Sequence, residues 1–237
     1  MTDREKAIKI CECIELPAEL GAYSEDENPD FLDFLYDEIP VEYGHFRIEH
    51  GATKGVLVFD DLPFVIKFPF NGMLYYNGDY DPEQDDIDDE YYFESFFGAD
   101  GSERDNYCQS EFERTLDIMD AGFMQFVPRI DIIYKDKYGR KFYIQEKVKP
   151  FNELGLYEFS PSENSMKCAS NMQRGYRKCD VAWRANVVEK YGEETWVAFV
   201  DWVDSTDMHL WSDMHYGNFG YRLDGTPVIF DISGYND

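Results

Sequence analysis

Apolar and polar residues alternate with a period of two over much of the first half of the chain. This alternation is typical of strands with one buried face. It predicts strands at Val56–Phe59 and Phe64–Phe68, followed by a hairpin of Phe126–Tyr134 with Lys141–Val148. A further hairpin is predicted over Tyr216–Ile232, where an Asp-Gly turn separates two apolar runs.

In other segments of the chain, apolar residues recur at the spacing of a helix. This spacing predicts helices at Asp3–Glu15, Pro29–Glu38 and Asn106–Gly122, the last ended by its glycine, and two more at Cys168–Tyr191 and Glu193–Ser205. The first half of the chain is therefore rich in strands and the second half rich in helices. We expect an α+β fold.

The composition divides the chain into three parts. Residues 1–44 are expected to be an N-terminal helical extension, 45–149 a strand-rich part, and 150–237 a mainly helical part. Within the strand-rich part, about 77–105 is acidic with scattered aromatics and keeps neither period, so we expect an insertion between elements.

The charge excludes several classes of partner. Asp and Glu number 49 against 22 Lys and Arg, a formal net charge of −27. This charge argues against direct binding of nucleic acid or of an anionic membrane. Three explanations of the charge remain: it serves only solubility, it attracts a basic protein partner, or it mimics a polyanion. No run approaches the roughly 20 apolar residues of a membrane helix, and the start of the chain is charged, so we expect a soluble cytoplasmic protein.

Two oxygen-bearing side chains fall near each other at the C-terminal hairpin. Folding the hairpin about its Asp-Gly turn brings Asn218 level with Asp231. A carboxamide and a carboxylate side by side form a hard-oxygen site that suits Mg²⁺. Asp213 lies five residues before Asn218, so it is expected near this site. The alternative is that all three are surface residues of turns in an Asp-rich chain.

A lysine stands within an apolar strand. Phe64, Ile66 and Phe68 are expected on one face, with Val65 and Lys67 on the other. A lysine in such a strand needs an anion unless it reaches solvent from a sheet edge.

The segment Trp211–Asp231 resembles the catalytic and metal-binding loops of the protein-kinase-like superfamily, in the Asp-x-His-x-Gly-Asn form of small atypical bacterial and phage members. By this resemblance Asp213 corresponds to the catalytic base and Asn218 to a metal ligand. Asp231 corresponds to the aspartate of the Asp-Phe-Gly motif, although Ile and Ser follow it here. His215 is expected to fix the geometry of the loop.

The same resemblance implies roles for residues upstream. Lys67 would hold the phosphates and pair with a glutamate of the next helix, for which Glu111 is favoured and Glu113 stays an alternative. Gly51 and Gly55 occupy the place of the glycine-rich loop that covers the phosphates.

The strand at residues 143–148 resembles the one that enters the interlobe hinge, where backbone groups of Glu146 and Val148 would meet an adenine edge. The resemblance covers about residues 45–237. It implies a two-lobed kinase-like fold with a β-rich N-lobe and a minimal helical C-lobe.

The leading functional hypothesis is therefore a phosphotransferase that binds ATP and Mg²⁺. The sequence ends six residues after Asp231, so we expect no activation segment and an acceptor that is a small molecule or the chain itself rather than a docked protein. The alternatives are a non-catalytic acidic inhibitor, which mimics nucleic acid and binds a basic surface, and a plain interaction module with this fold.

Overall fold

A computed structural model of the chain describes residues 1–16, 31–50, 54–69, 106–151, 161–171, 179–208, 210–211 and 214–232. Gly51, Asp213 and the predicted insertion at 77–105 lie outside the described residues. Within the described ranges the fold is α+β, with six helices and eight strands. Two compact units are formed, Met1–Ser110 with Ile130–Gln145 and Glu111–Arg129 with Glu146–Asp237.

The first unit is built on a five-stranded sheet in the order β1-β2-β3-β5-β4. Its strands are β1 (Phe46–His50), β2 (Lys54–Phe59), β3 (Phe64–Pro69), β4 (Ile130–Lys135) and β5 (Lys141–Glu146). The first three form an antiparallel meander, and β4 pairs antiparallel with β5. The strands predicted from the alternation at 56–59 and 64–68 are confirmed.

Two helices of the first unit lie in the N-terminal part of the chain, α1 (Asp3–Glu12) and α2 (Phe31–Glu38). Helix α1 begins at a capping box in which Thr2 and Glu5 each accept from the other's backbone N–H. Its buried face shares one hydrophobic cluster with the sheet, which includes Ala7, Ile10, Leu57, Phe59, Ile66, Phe68 and Phe142. The N-terminal helix is therefore part of the core of this unit.

The second unit contains the three-stranded sheet β6 (Val148–Pro150), β7 (Phe219–Arg222) and β8 (Pro227–Ile229), in that order and antiparallel. Sequence alternation predicted one strand from Lys141 to Val148. In the structure β5 ends at Glu146, and Val148 pairs instead with Arg222 of β7.

The helices of the second unit surround an aromatic core. Helix α3 (Asn106–Ile118) belongs to this unit from Glu111 onward, and it continues into a five-residue π-helical turn in which Gly122 has a φ of 89°. The others are α4 (Glu163–Asn171), α5 (Val181–Tyr191) and α6 (Glu193–Asp204). Fully buried side chains at the centre of the core are Phe126, Trp183, Trp196, Phe199 and Phe219.

The single helix predicted over Cys168–Tyr191 is wrong. Asp180 has extended backbone (ψ 143°), and its carboxylate accepts from the N–H groups of Ala182 and Trp183. An aspartate that caps the first N–H groups starts a new helix, so α5 is distinct from α4. Among the described residues, no helix combines the length and the apolar character that crossing a membrane requires.

Candidate functional site

The hairpin β7–β8 positions the two predicted metal ligands. Residue pairs run from Tyr221 with Pro227 to Phe219 with Ile229. One step further, the Phe230 N–H donates to the Asn218 carbonyl at 2.9 Å. Asn218 is therefore level with Phe230, and Asp231 follows one position beyond.

The expected pairing of Asn218 with Asp231 is wrong by one residue because of the turn. The Arg222 N–H donates to the Thr226 carbonyl, and the three residues between them form the loop. Gly225 has a φ of 83°, the left-handed conformation typical of the third position in a three-residue hairpin loop. A two-residue Asp-Gly turn would have shifted the register by one.

Asn218 and Asp231 differ in exposure and in backbone conformation. Asn218 is only 4% exposed, and its N–H donates to the His215 carbonyl. Asp231 is half-buried and directly follows the buried run Val228–Phe230. Its φ of 53° makes it the one described non-glycine residue with positive φ. Left-handed backbone at a non-glycine residue is strained and is frequent at functional sites.

A buried glutamate holds the backbone of Asp231. Glu111, on helix α3, is 0% exposed, and its Oε1 accepts from the Asp231 N–H at 3.1 Å. Glu113, the alternative left open by the sequence, is exposed. A carboxylate that accepts a backbone N–H away from water forms a charge-assisted bond, which is stronger than a neutral one. Glu111 is therefore part of the site around Asp231.

A second residue of α3 reaches the next backbone group. Arg114 Nη1 donates to the Ile232 carbonyl at 3.1 Å. Arg114 was not identified from the sequence, because nothing in an ordinary charged helix marks a residue that contacts a carbonyl 118 positions away. Its spacing of three from Glu111 places both on one side of the helix, and this is the signal that could have found it.

The donor set fits a hard cation that keeps much of its water. Asn218 supplies a carboxamide and Asp231 a carboxylate, and Mg²⁺ in proteins is commonly bound through one or two such oxygens with several waters. Among the described residues no group of three or more His, Cys, Asp or Glu side chains is placed to hold a metal ion. Asn218 and Asp231 thus offer oxygen ligands of the kind that Mg²⁺ accepts.

His215 shapes the loop before the hairpin, as predicted. Its Nδ1 accepts from the Gly217 N–H at 3.0 Å, and its side chain is exposed. This bond needs an unprotonated Nδ1, so the imidazole is engaged with the backbone of its own loop.

Lys67 and Gly55 lie in the first unit. Lys67 is 5% exposed and is level with Val56 of β2. Phe64, Ile66 and Phe68 all belong to the core cluster of this unit, whereas Val65 is buried but lies outside that cluster, so the predicted division of β3 into two faces is confirmed.

Gly55 is a strand residue and not part of the predicted turn. It lies in β2, level with Phe68 of β3. A Cβ on Gly55 would lie 2.3 Å from the ring of Phe68. The packing of that ring therefore explains the absence of a side chain.

The backbone at the predicted adenine edge is partly engaged. The Glu146 N–H donates to the Arg129 carbonyl at 2.8 Å. The Glu146 carboxylate accepts from Nε of Arg222 at 3.2 Å and from the Arg129 N–H at 3.3 Å. Arg222 also donates to the carbonyls of Gln125 and Val127. An adenine contact by Glu146 would therefore use its carbonyl oxygen.

An open cavity of about 510 Å³ lies next to this part of the second unit. Three of its eight lining residues are aspartates, and the full lining comprises Arg114, Asp117, Asp120, Ala121, Trp202, Thr206, Asp207 and Met208. Arg114 thus borders the cavity and also contacts the backbone after Asp231.

Compared with protein-family models, curated proteins and solved structures, the chain shows no significant match to any of them.

Proposed function

We propose that the chain binds a nucleoside triphosphate, ATP, with Mg²⁺ and transfers its terminal phosphoryl group. In this proposal Asn218 and Asp231 hold the metal, and Lys67 contacts the phosphates. Asp213 orients the acceptor hydroxyl and takes its proton. The acceptor oxygen would bond to the terminal phosphorus as the bond from that phosphorus to ADP breaks, and a metal held by Asn218 and Asp231 would neutralise charge on the phosphate oxygens.

The nucleotide base and the remaining phosphates would be held by backbone. The Glu146 carbonyl and the Val148 backbone would contact the adenine edge, which needs no particular side chain. Gly51 and Gly55 would border the segment that covers the phosphates.

The observation that carries the proposal is the contact between Glu111 and Asp231. A fully buried carboxylate on α3 accepts the N–H of an aspartate whose backbone is left-handed. A carboxylate is kept inside a protein only where hydrogen bonds or charges compensate it, and a left-handed aspartate persists only where its surroundings determine its backbone. A site that must present one carboxylate in a fixed direction explains both features.

The order of elements supports the same proposal. Lys67 lies on the third strand of a sheet, and the helix that carries Glu111 follows it along the chain. In protein kinases the phosphate-binding lysine lies on the third strand and pairs with a glutamate of the next helix. We infer a two-lobed kinase-like fold from this order.

Nucleotide binding is tested by thermal unfolding with ATP and Mg²⁺. A ligand at 100 times its Kd adds about 2.7 kcal/mol to stability, which corresponds to a rise in Tm of about 5–10 °C for a chain of this size. We expect this rise to disappear in Asp231→Asn and Lys67→Met and in EDTA. Glu113→Gln, an exposed change on the same helix as Glu111, serves as control. An equal rise in all variants would refute the assigned site.

Catalysis is tested separately with γ-labelled ATP. We expect label to appear on the chain itself or on added small hydroxyl compounds. Asp213→Asn is expected to keep the ATP-dependent rise in Tm and to lose transfer, because it changes the base and not the metal ligands. Transfer at the wild-type rate by Asp213→Asn would contradict the role of Asp213.

The charge favours a second candidate, a non-catalytic protein that binds a basic surface. The formal net charge is −27, and three exposed aspartates border the cavity beside Trp202. Acidic surfaces steer basic partners, and an aromatic ring adds attraction for their cationic side chains.

The second candidate predicts binding that depends steeply on salt. Association with a basic nucleic-acid-binding protein should weaken strongly between low and physiological ionic strength. Asp213→Asn should leave that association unchanged, whereas it should abolish phosphoryl transfer. The two candidates are thus separated by one variant in two assays.

A further inference from the structure

We propose that Arg114 and Glu111 form a two-point clamp that holds Asp231 in its metal-binding conformation, with Arg114 as a positioning residue. The proposal rests on the proposed function for the metal, but the clamp itself is a property of the chain. The clamp consists of the Glu111 and Arg114 side chains, which hold the Asp231 N–H and the Ile232 carbonyl.

The two contacts complement each other. Glu111 accepts from the Asp231 N–H, and Arg114 donates to the Ile232 carbonyl, both at 3.1 Å. The pair Asp231–Ile232 is thus held at its N–H end by an anion and at its carbonyl end by a cation. Residues three apart on a helix lie on the same side, so α3 presents both groups to one short backbone segment.

The backbone of Asp231 explains why two contacts are needed. Its φ of 53° lies in the left-handed region, which is unfavourable for a residue with a Cβ. Such a conformation persists only where surrounding contacts determine it. Removal of either contact should release the segment toward ordinary extended backbone and change the direction of the Asp231 carboxylate.

Electrostatics alone predicts the opposite effect. Arg114 carries a positive charge, so its removal should strengthen cation binding nearby if only charge matters. Glu111 carries a negative charge, so its neutralisation should weaken cation binding. The clamp predicts that Arg114→Met weakens metal binding, since the donor to Ile232 is lost. It predicts that Glu111→Gln retains metal binding, since the amide oxygen can still accept from Asp231.

The first measurement is Mn²⁺ affinity, by electron paramagnetic resonance titration of free Mn²⁺. Arg114→Met is expected to bind about 10–100-fold more weakly, the range for residues that orient metal ligands. Arg114→Lys, which keeps charge and a donor, should recover part of the loss. Arg129→Met removes the same charge from an exposed position of the same unit and is the matched control. Affinity that is unchanged or tighter in Arg114→Met overturns the proposal.

The second measurement needs no metal. Amide hydrogen exchange at Asp231, followed by NMR, should be slow in the wild type and in Glu111→Gln, and faster in Arg114→Met and Glu111→Ala. If the wild type binds no Mn²⁺, the proposed function fails and the exchange rates still decide the clamp. If Arg114→Met does not fold, Glu111→Ala is compared with Glu111→Gln in both assays, and equal values for the two variants overturn the proposal.

Discussion

Replacement of Gly220 by alanine tests the pairing that builds the second sheet. Gly220 lies in β7 level with Pro150 of β6. A Cβ on Gly220 would lie 2.1 Å from the Lys149 carbonyl oxygen and 3.0 Å from the Pro150 Cα. All of these neighbours are backbone, so no side-chain rotation relieves the overlap, and β6 and β7 would have to separate by about 1 Å.

The expected loss of stability has two sources, the packing of the strands and a hydrogen bond to Trp183. Forcing extra volume into a packed site typically costs about 1–3 kcal/mol. The Gly220 carbonyl also accepts from Nε1 of the buried Trp183 at 2.8 Å, and loss of a partner for a buried donor costs about 1–3 kcal/mol. We therefore expect Gly220→Ala to lower the free energy of unfolding by about 2–5 kcal/mol.

Tryptophan fluorescence in urea is a suitable assay for this change. All four tryptophans, Trp183, Trp196, Trp202 and Trp211, lie in the second unit, so their emission reports the unfolding of that unit. With a urea dependence of about 1–3 kcal/mol/M, the midpoint should fall by at least about 0.7 M.

Gly217→Ala is the matched control. A Cβ there would meet only the side chain of the exposed His215, at 2.8 Å, and that ring can rotate away. Equal midpoints for wild type and Gly220→Ala would refute the close approach of β6 and β7.

Two further predictions concern the ionisation of two buried tyrosines and the reactivity of two buried cysteines. Burial raises the pKa of Tyr191 and of Tyr221 to about 12. Because these folded values lie above the ordinary tyrosine pKa of about 10, the stability that the two residues contribute is complete below pH 10 and is lost as the pH rises toward 12. Absorbance at 295 nm should show Tyr191 and Tyr221 among the late-ionising tyrosines, with one fewer in each Phe variant, and ionisation of all tyrosines near pH 10 would contradict their burial. Burial also raises the pKa of the Cys11 and Cys179 thiols, so a thiol reagent at pH 8 should label both only after denaturation. Labelling of either thiol in the native protein would contradict its burial.

The elements that the sequence predicted well are those set by local alternation. Strands β2 and β3, and the division of β3 into a core face and a face with Lys67, follow directly from the order of apolar residues. Such periodicity records which side of a strand is buried, and it needs no knowledge of the partner strand.

The wrong predictions concern the register of a hairpin and the start of a helix, each of which depends on one or two residues. The register of β7 and β8 depends on whether the loop at Gly225 has two or three residues, and both lengths are compatible with an Asp-Gly pair. The helix predicted through Asp180 was divided because a capping side chain overrides apolar spacing on both sides of it.

The candidate site was predicted in part. Asn218, Asp231 and Glu111 were identified from motif order, and Glu111 and Asp231 are in contact. Arg114 was missed, because its partner is a carbonyl group, and a backbone acceptor leaves no mark in the sequence.

The discontinuity of the second unit has a consequence for biosynthesis. Its residues come from Glu111–Arg129 and from Glu146–Asp237, with part of another unit between them. On the ribosome, Phe126 emerges well before Trp196 and Phe199, whose rings it contacts in the finished core. Until those residues are synthesised, the apolar side chains of Glu111–Arg129 lack their partners and stay exposed. Apolar segments that are exposed during synthesis are bound by chaperones. Slowing translation after residue 145 should therefore increase aggregation of the nascent chain.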